Sequence, residues 1–391
     1  MATAESNPIT LKAQCLCKAF TFSAEVPRQL LPLEGSMCHC TSCRNVTGAM
    51  YSSDTNWPGP LDEVLNSELK RYKFTSNVTL MFCGTCSTPL FWHEHYSDKP
   101  EHLSVFTGPL QDVDIAGLIK FVDQIFLGDT EDGGVSPWLQ NVNQNGSKAQ
   151  LWKGRARKSE ELHDDWLNTL GGPVSGGIKN EGIPLHCRCK GVQFVFRPSN
   201  VDFSVMDTSS VPFFIDPKSH KHLATLDPCN SCRLSCGVDM MNWTFALPAQ
   251  IEFAEGRDGT GFPENTHVLR DAVQSPERDS RYGTLAMYRS SPDVQRYFCS
   301  QCSALVFYTT DDRPQVIDVA VGLLHAPEGA RAESVLTWHL GAKMMGEDDF
   351  GNTWRGAFAK SVKEGSEKWR VEKGYPKTWS RLARENAQNE A

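Results

Sequence analysis

Apolar and polar residues alternate along Ala19-Phe20-Thr21-Phe22-Ser23, and they do so again along Val192-Gln193-Phe194-Val195-Phe196. A period of two places one face of each segment in a core and the other toward water, which predicts half-buried strands. Short apolar runs at Pro89 to Trp92 and Ala304 to Tyr308 add further strands, as do Leu103 to Thr107 and Val316 to Val321, each followed by a glycine (Gly108, and Gly322). Thirty glycines and 22 prolines punctuate the chain, and few long helical stretches appear. The pattern predicts a mainly β protein. Leu151 to Gly182 mixes charge with Gly171-Gly172-Pro173 and Gly176-Gly177 and reads as a linker, whose glycines lack the strand–turn–helix setting of a phosphate-binding loop. Gly256 to Arg281 reads as a polar insertion, and the residues beyond Gly346 as a charged, partly irregular tail with Trp354, Trp369 and Trp379 along it, which either packs helically against the domains or trails.

The cysteines fall into two parallel series. Cys15-x-Cys17, Cys38-x-Cys40-x-x-Cys43 and Cys83-x-x-Cys86 are followed by Cys187-x-Cys189, Asp227-x-Cys229-x-x-Cys232 and Cys299-x-x-Cys302. Only Cys236 of the 14 stands outside this scheme, at the place of Thr47. The flanks match too: Phe82-Cys83 parallels Phe298-Cys299, and Cys43-Arg44 parallels Cys232-Arg233. The offset between the series grows along the chain, as in a duplicated domain with insertions in its second copy, and the unit is too long for a solenoid. Expected boundaries are 10–148 for the first domain, 149–182 for the linker, 183–345 for the second domain and 346–391 for the tail.

Composition narrows the classes. With 391 residues, 22% charged and 40% apolar, the chain is long enough for two globular domains. A net charge of −8 disfavours nucleic acid or anionic lipid as partner. No apolar run approaches the length of a membrane span, and the polar start lacks the regions of a signal peptide, so a cytoplasmic location is expected. Closely spaced cysteines there are metal ligands before they are disulfides. Cys15, Cys17, Cys83 and Cys86 suffice for one closed tetrahedral zinc site, and Cys187, Cys189, Cys299 and Cys302 for another. A redox disulfide reading of the Cys-x-x-Cys pairs competes with this. Cys38, Cys40 and Cys43 leave a metal with an open position, which chemistry requires.

This ordering, Cys-x-Cys, Cys-x-Cys-x-x-Cys-Arg, Phe-Cys-x-x-Cys, resembles the family of glutathione-dependent formaldehyde-activating enzymes and centromere protein V, in a tandem duplicated form. The resemblance implies two Mss4-like zinc-binding β domains, glutathione as the ligand class, and carbon–sulfur lyase activity. The basic extension of the centromere branch has no counterpart here, so its role does not transfer. Where the family often carries a histidine before a closing tryptophan, this chain has Asp123-Gln124-Ile125-Phe126 ahead of Trp138.

On this basis the expected activity is a zinc-dependent lyase acting on a glutathione-type thiol adduct, S-hydroxymethylglutathione being the simplest. Cys38, Cys40 and Cys43 would carry the chemistry, and Arg44 is a candidate partner for a glutathione carboxylate. Three zinc ions are expected. The fourth set, Asp227 with Cys229 and Cys232, is left open, with Cys236 as a substitute sulfur and a degenerate pocket as the plainer reading. His39 should point away from a metal held by its neighbours, and His93 and His95 share one strand face. Competing readings are a non-catalytic zinc-stapled scaffold and a methionine sulfoxide reductase-type enzyme. The physiological adduct and the oligomeric state are not legible.

Overall fold

The computed structural model describes residues 7–115, 117–163, 165–174, 182–254, 261–347, 350–351 and 353–389. Its strands and helices run β1 (Ile9–Gln14), β2 (Thr21–Val26), β3 (Leu33–Cys38), α1 (Thr41–Thr47), β4 (Ser52–Asn56), α2 (Leu61–Leu65), β5 (Lys70–Lys73), β6 (Val78–Phe82), β7 (Pro89–Glu94), β8 (His102–Phe106), β9 (Ile119–Ile125), β10 (Gln150–Trp152), β11 (Glu161–Leu162) and α3 (Trp166–Thr169). They continue with β12 (Ile183–His186), β13 (Gln193–Phe196), β14 (His222–Asp227), α4 (Asn230–Cys236), β15 (Met241–Ala246), β16 (Ile251–Phe253), α5 (Thr266–Gln274), β17 (Leu285–Ser291), β18 (Val294–Cys299), β19 (Leu305–Thr310), β20 (Ile317–Ala320), β21 (Leu336–Trp338), α6 (Trp354–Lys373) and α7 (Trp379–Asn389).

Four sheets result. The first large sheet has the order β11-β10-β9-β3-β4-β8-β7-β6-β5, and the second the order β17-β18-β19-β20-β15-β14-β21. Reading outward from the strand that precedes each triplet, the two agree strand for strand: β3 lies between β4 and a parallel β9, as β14 lies between β15 and a parallel β21. Register shifts also fall at matching places, between Met81 and Phe82 and between Tyr297 and Phe298, just ahead of Cys83 and Cys299. Each large sheet is accompanied by a small one, β1-β2 or β12-β13-β16. Alternation holds as the pattern predicts: Leu11, Ala13, Phe22, Ala24 and Val26 are buried while their neighbours face outward.

The halves interlock through the helices that follow the triplets. α1 ends on Gly48 (φ 80°) and α4 on Gly237 (φ 82°), both left-handed C-caps. The amide of Gly322 donates to the carbonyl of Gly48 at 3.0 Å, and that of Gly108 to the carbonyl of Gly237 at 2.9 Å, so each cap is gripped by the other half. A Cβ on Gly48 would run into the Leu305 carbonyl, and one on Gly237 into the Pro89 ring. One large apolar core then extends across both halves, with a smaller cluster around Phe203, Phe214 and Leu223 in the second.

Two expectations sharpen. Of the two readings of the tail the helical one holds: α6 buries Trp354, Phe358, Val362 and Trp369 along one side. Its Arg355, 2% exposed, rivets the halves by bonding Asp112 at 2.8 Å and the Thr107 carbonyl at 2.6 Å in the first and Asp239 at 3.2 Å in the second. The segment read as a linker is partly structured, since Leu151 and Trp152 are buried and β10 extends the first sheet by pairing with β9. Its Gly176 and Gly177 lie outside the described residues, as do 255–260 of the polar insertion, the rest of which contains α5.

The gripped caps carry a testable consequence. Gly237→Ala should destabilise the protein by about 2–4 kcal/mol, through left-handed strain and overpacking together. Gly146→Ala, at φ 72° with nothing within 4 Å of the new methyl, should cost only about 1 kcal/mol. Equal losses for the two in denaturant unfolding would contradict the interlocked arrangement.

Candidate metal centres and the cysteine triplet

Each staple is built from two tight turns. Cys15 and Cys17 sit on a turn closed by Lys18 N–H donating to the Cys15 carbonyl at 3.0 Å, with Lys18 at φ 64°. Cys83 and Cys86 sit on another, where Ser87 N–H donates to the Cys83 carbonyl at 3.0 Å with Ser87 at φ 61°. Lys190 (φ 59°) and Ser303 (φ 67°) repeat both turns in the second half. A left-handed residue just past the second ligand curls the chain so that two thiols face one point. The four sulfurs of each set lie within 4.8 Å of one another, with 3.5 Å between Cys15 and Cys17 and between Cys17 and Cys83. The second half gives 3.5 Å for Cys187–Cys189 and Cys189–Cys299. A tetrahedron of Zn–S bonds of about 2.3 Å has edges of about 3.8 Å, whereas a disulfide is about 2.05 Å, so the spacing fits zinc and not a bridge. In each set two sulfurs come from the turn between the first two strands of the small sheet and two from the sixth or eighteenth strand's end, so a shared ion ties the small sheet to the large one.

The triplet is assembled differently. Cys38 is the last residue of β3, Cys40 caps α1 by accepting the Cys43 amide at 3.2 Å, and Cys43 lies in the helix's first turn. The three sulfurs lie within 4.8 Å of one another and form a set of only three. Hydrogen bonds from the Cys38 and Cys43 thiols, with the amides of Cys43 and Ser42, draw the Cys40 thiol down to about 3, while the bond to Cys40 and burial push Cys38 up. One thiolate is thus favoured among these three groups without help.

Around it the expected roles divide. His39 points away from the sulfurs, as anticipated: its Nε2 bonds the Gln124 side-chain oxygen at 3.0 Å, its ring is fully buried, and burial holds its pKa down to about 3. Arg44 bonds the protein itself. It is 5% exposed and donates to the carbonyls of His39 and Asp129 at 3.3 Å each and to the Thr41 hydroxyl at 3.1 Å, so it braces the loop ahead of α1. The position one helical turn into an N-terminal turn is simply too deep to reach solvent. Cys236 is likewise no substitute sulfur, since it is fully buried at the end of α4 with its thiol on the carbonyls of Arg233 and Val238. His93 and His95 lie with ring centroids 5.1 Å apart at a tilt of 49°, and among the described residues they belong to no metal-ligating group.

Sequence reasoning missed Asp54. On β4, Ser52 pairs with Cys38 and Asp54 with Ser36, so Asp54 shares the triplet's face one pleat away, roughly 7–8 Å diagonally between side chains. It lies deep in the fold yet keeps part of its surface in contact with solvent. Burial, with Glu94 nearby, pushes its pKa up to about 7. The signal available was the contrast between copies, Asp54 standing where the second copy has Trp243.

Asp227, Cys229 and Cys232 also converge, their donor atoms within 4.8 Å of one another, although a degenerate pocket was the plainer expectation. They form the floor of a cavity of about 600 Å³.

Comparison with known proteins gives one finding for the first half. Residues 10–128 match the family model described as glutathione-dependent formaldehyde-activating enzyme, a stretch that contains all seven cysteines of the first series. Neither the curated proteins nor the solved structures give a match. No helix among the described residues is long and apolar enough to cross a membrane.

The staples can be tested without any substrate. Cys189→Ser should lower bound zinc by about one equivalent per chain and cost more than about 4 kcal/mol of stability. Were these pairs redox disulfides, metal content would stay unchanged and reduction would instead add the mass of two hydrogens per pair.

Proposed function

We propose that the first half is a zinc-dependent carbon–sulfur lyase for glutathione-type thiol adducts, with Cys38, Cys40 and Cys43 as the reactive centre. One observation carries the reading: three convergent thiols, one short of a closed shell, in the half that matches the family. Three thiolates suit zinc, which when bound there supplies a Lewis acid that lowers the pKa of an incoming thiol. The four-sulfur sets take two further zinc ions in a supporting role.

The chain's own groups complete the reaction. In the lyase direction an S–CH₂–OH adduct loses its hydroxyl proton to the Asp54 carboxylate. The C–S bond breaks with its electron pair going to sulfur, and an aldehyde and a thiolate leave. In the reverse direction protonated Asp54 returns the proton to the oxygen as sulfur attacks the carbonyl carbon. A pKa near 7 suits both roles close to neutrality. The diagonal spacing between Asp54 and Cys38 leaves space for a one-carbon unit. Arg44 acts as a brace for the loop that presents Cys40.

The whole chain we read as a tandem duplicate, with domains near 10–148 and 183–345. Matching strand order, matching register shifts and matching left-handed turns support it. So many free thiols suit a reducing compartment, which favours the cytoplasm.

Glutathione binding and metal content measured on wild type and Cys40→Ser test the site. The variant should lose about one zinc and bind glutathione at least tenfold more weakly; equal binding with unchanged metal would leave only a zinc-braced scaffold. Asp54→Asn should keep binding but slow turnover by about 10²–10⁴-fold. Because the carboxylate is active only when ionised, the wild-type lyase rate should rise with pH through about 7 and level off above it. The variant should lose that rise, and a variant profile identical to wild type would remove Asp54 from the mechanism.

A further inference from the structure

The family match ends at residue 128, and the second triplet differs from the first in a way that has its own logic. Asp227 receives two bonds within the set: its Oδ2 accepts from the Cys232 thiol at 3.1 Å, and its Oδ1 from the Cys229 amide at 2.9 Å. Behind it stands Arg296 on β18, at the place that register assigns to Leu80 in the first sheet. Arg296 is 3% exposed. It donates to Cys232 Sγ at 3.5 Å, to the Ser231 hydroxyl at 2.8 Å and to the Ser290 hydroxyl at 3.1 Å, and packs against the Tyr308 ring at 4.8 Å. No carboxylate is among these bonding partners. A guanidinium this deep is costly unless fixed negative charge lies beside it.

With both cysteines as thiols, Asp227 and Arg296 form the balanced pair. Once both ionise to ligate a divalent cation, one carboxylate and two thiolates carry three negative charges, which the ion and Arg296 together offset. Two sulfurs and one oxygen are a zinc-type donor set with one position free. That position opens into the cavity of about 600 Å³, which lies in the size range of small-molecule sites. Trp243, Phe245 and Tyr308 give it an aromatic wall, and Ser380 and Arg384 of α7 line its outer side. The three bonds of Arg296 use three of its five N–H groups. The others suit an anionic oxygen arriving at the metal.

We propose that Asp227, Cys229 and Cys232 hold a fourth, zinc-type ion whose charge Arg296 balances, and that the cavity above binds a small carboxylic acid with an apolar body. Its carboxylate meets the ion and Arg296, and its body lies against Trp243 and Tyr308. The second half is thereby a separate ligand site and no vestige of the first. It does not depend on the lyase reading, because its ligands and counter-charge belong to the second half and its cavity to the second half and the tail.

Metal analysis of the full chain is the first test. Wild type should hold four zinc ions, Cys229→Ser/Cys232→Ser three, and Cys40→Ser three by loss of the other open site. Asp227→Cys, which restores the residue type of the first triplet, should retain four and guards against a folding artefact. Wild type holding three, with Cys229→Ser/Cys232→Ser unchanged, overturns the metal. The second test loads Cys40→Ser protein with cobalt and titrates phenylacetate against the visible spectrum. The spectrum should shift with phenylacetate but not with neutral phenylacetamide, and Arg296→Leu, carrying the first half's residue type, should bind phenylacetate at least tenfold more weakly. No shift, or an equal response to the amide, overturns the ligand class.

Discussion

Everything in this molecule hangs on sulfur atoms held about a van der Waals contact apart by left-handed turns. Lys18, Ser87, Lys190 and Ser303 adopt a backbone conformation that costs non-glycine residues energy, and each sits directly beyond a thiol pair. The strain is recovered only if the paired thiols share an ion, because four uncharged thiols 3.5 Å apart gain little from one another. With an ion present, the two-stranded sheet β1-β2 is fixed to the large first sheet, and β12-β13-β16 to the second. Without it, each small sheet has only its apolar face to hold it in place.

The interlocking of the halves sets where reactivity can reside. α1 and α4 carry the triplets at their starts and press their glycine caps into the opposite half at their ends. Arg355, from a helix outside both sheets, bonds both halves at once and pairs with buried Asp239. Such buried pairs are strongly destabilising to break from one side, so the tail is part of the body. The helix starts are consequently held rigidly while their C-terminal ends are inaccessible. Within that shared frame the two triplet faces have diverged in chemistry: a titratable carboxylate, Asp54, on one, and a buried guanidinium, Arg296, on the other.

Much of this was legible in the sequence, because cysteine spacing is set by short-range geometry. The two staple sets, the triplets and most strands follow from residues at most a few positions apart, and the strands at Leu103 to Thr107 and Val316 to Val321 appear with only shifted ends. What stayed hidden depends on depth and on partners distant in sequence. Arg44 could have met a ligand carboxylate or bonded its own loop, and only the turn at Asp129, far along the chain, shows the second. Nothing in the sequence of its own strand singles out Asp54, and only pairing between Cys38 and Ser52 brings it to the triplet. The helical tail was obscured by its charge, since the buried stripe of α6 is a minority of its residues. Arg296 sits in a strand whose alternation gives no hint that its charge faces inward.

The central claim is that one sulfur shell is incomplete until a thiol substrate fills it. X-ray absorption at the zinc edge, with and without glutathione, addresses this directly. The account predicts a mean sulfur count below four in the resting protein, rising on addition of glutathione with Zn–S distances of about 2.3 Å. A count of four at the outset, unmoved by glutathione, would contradict it.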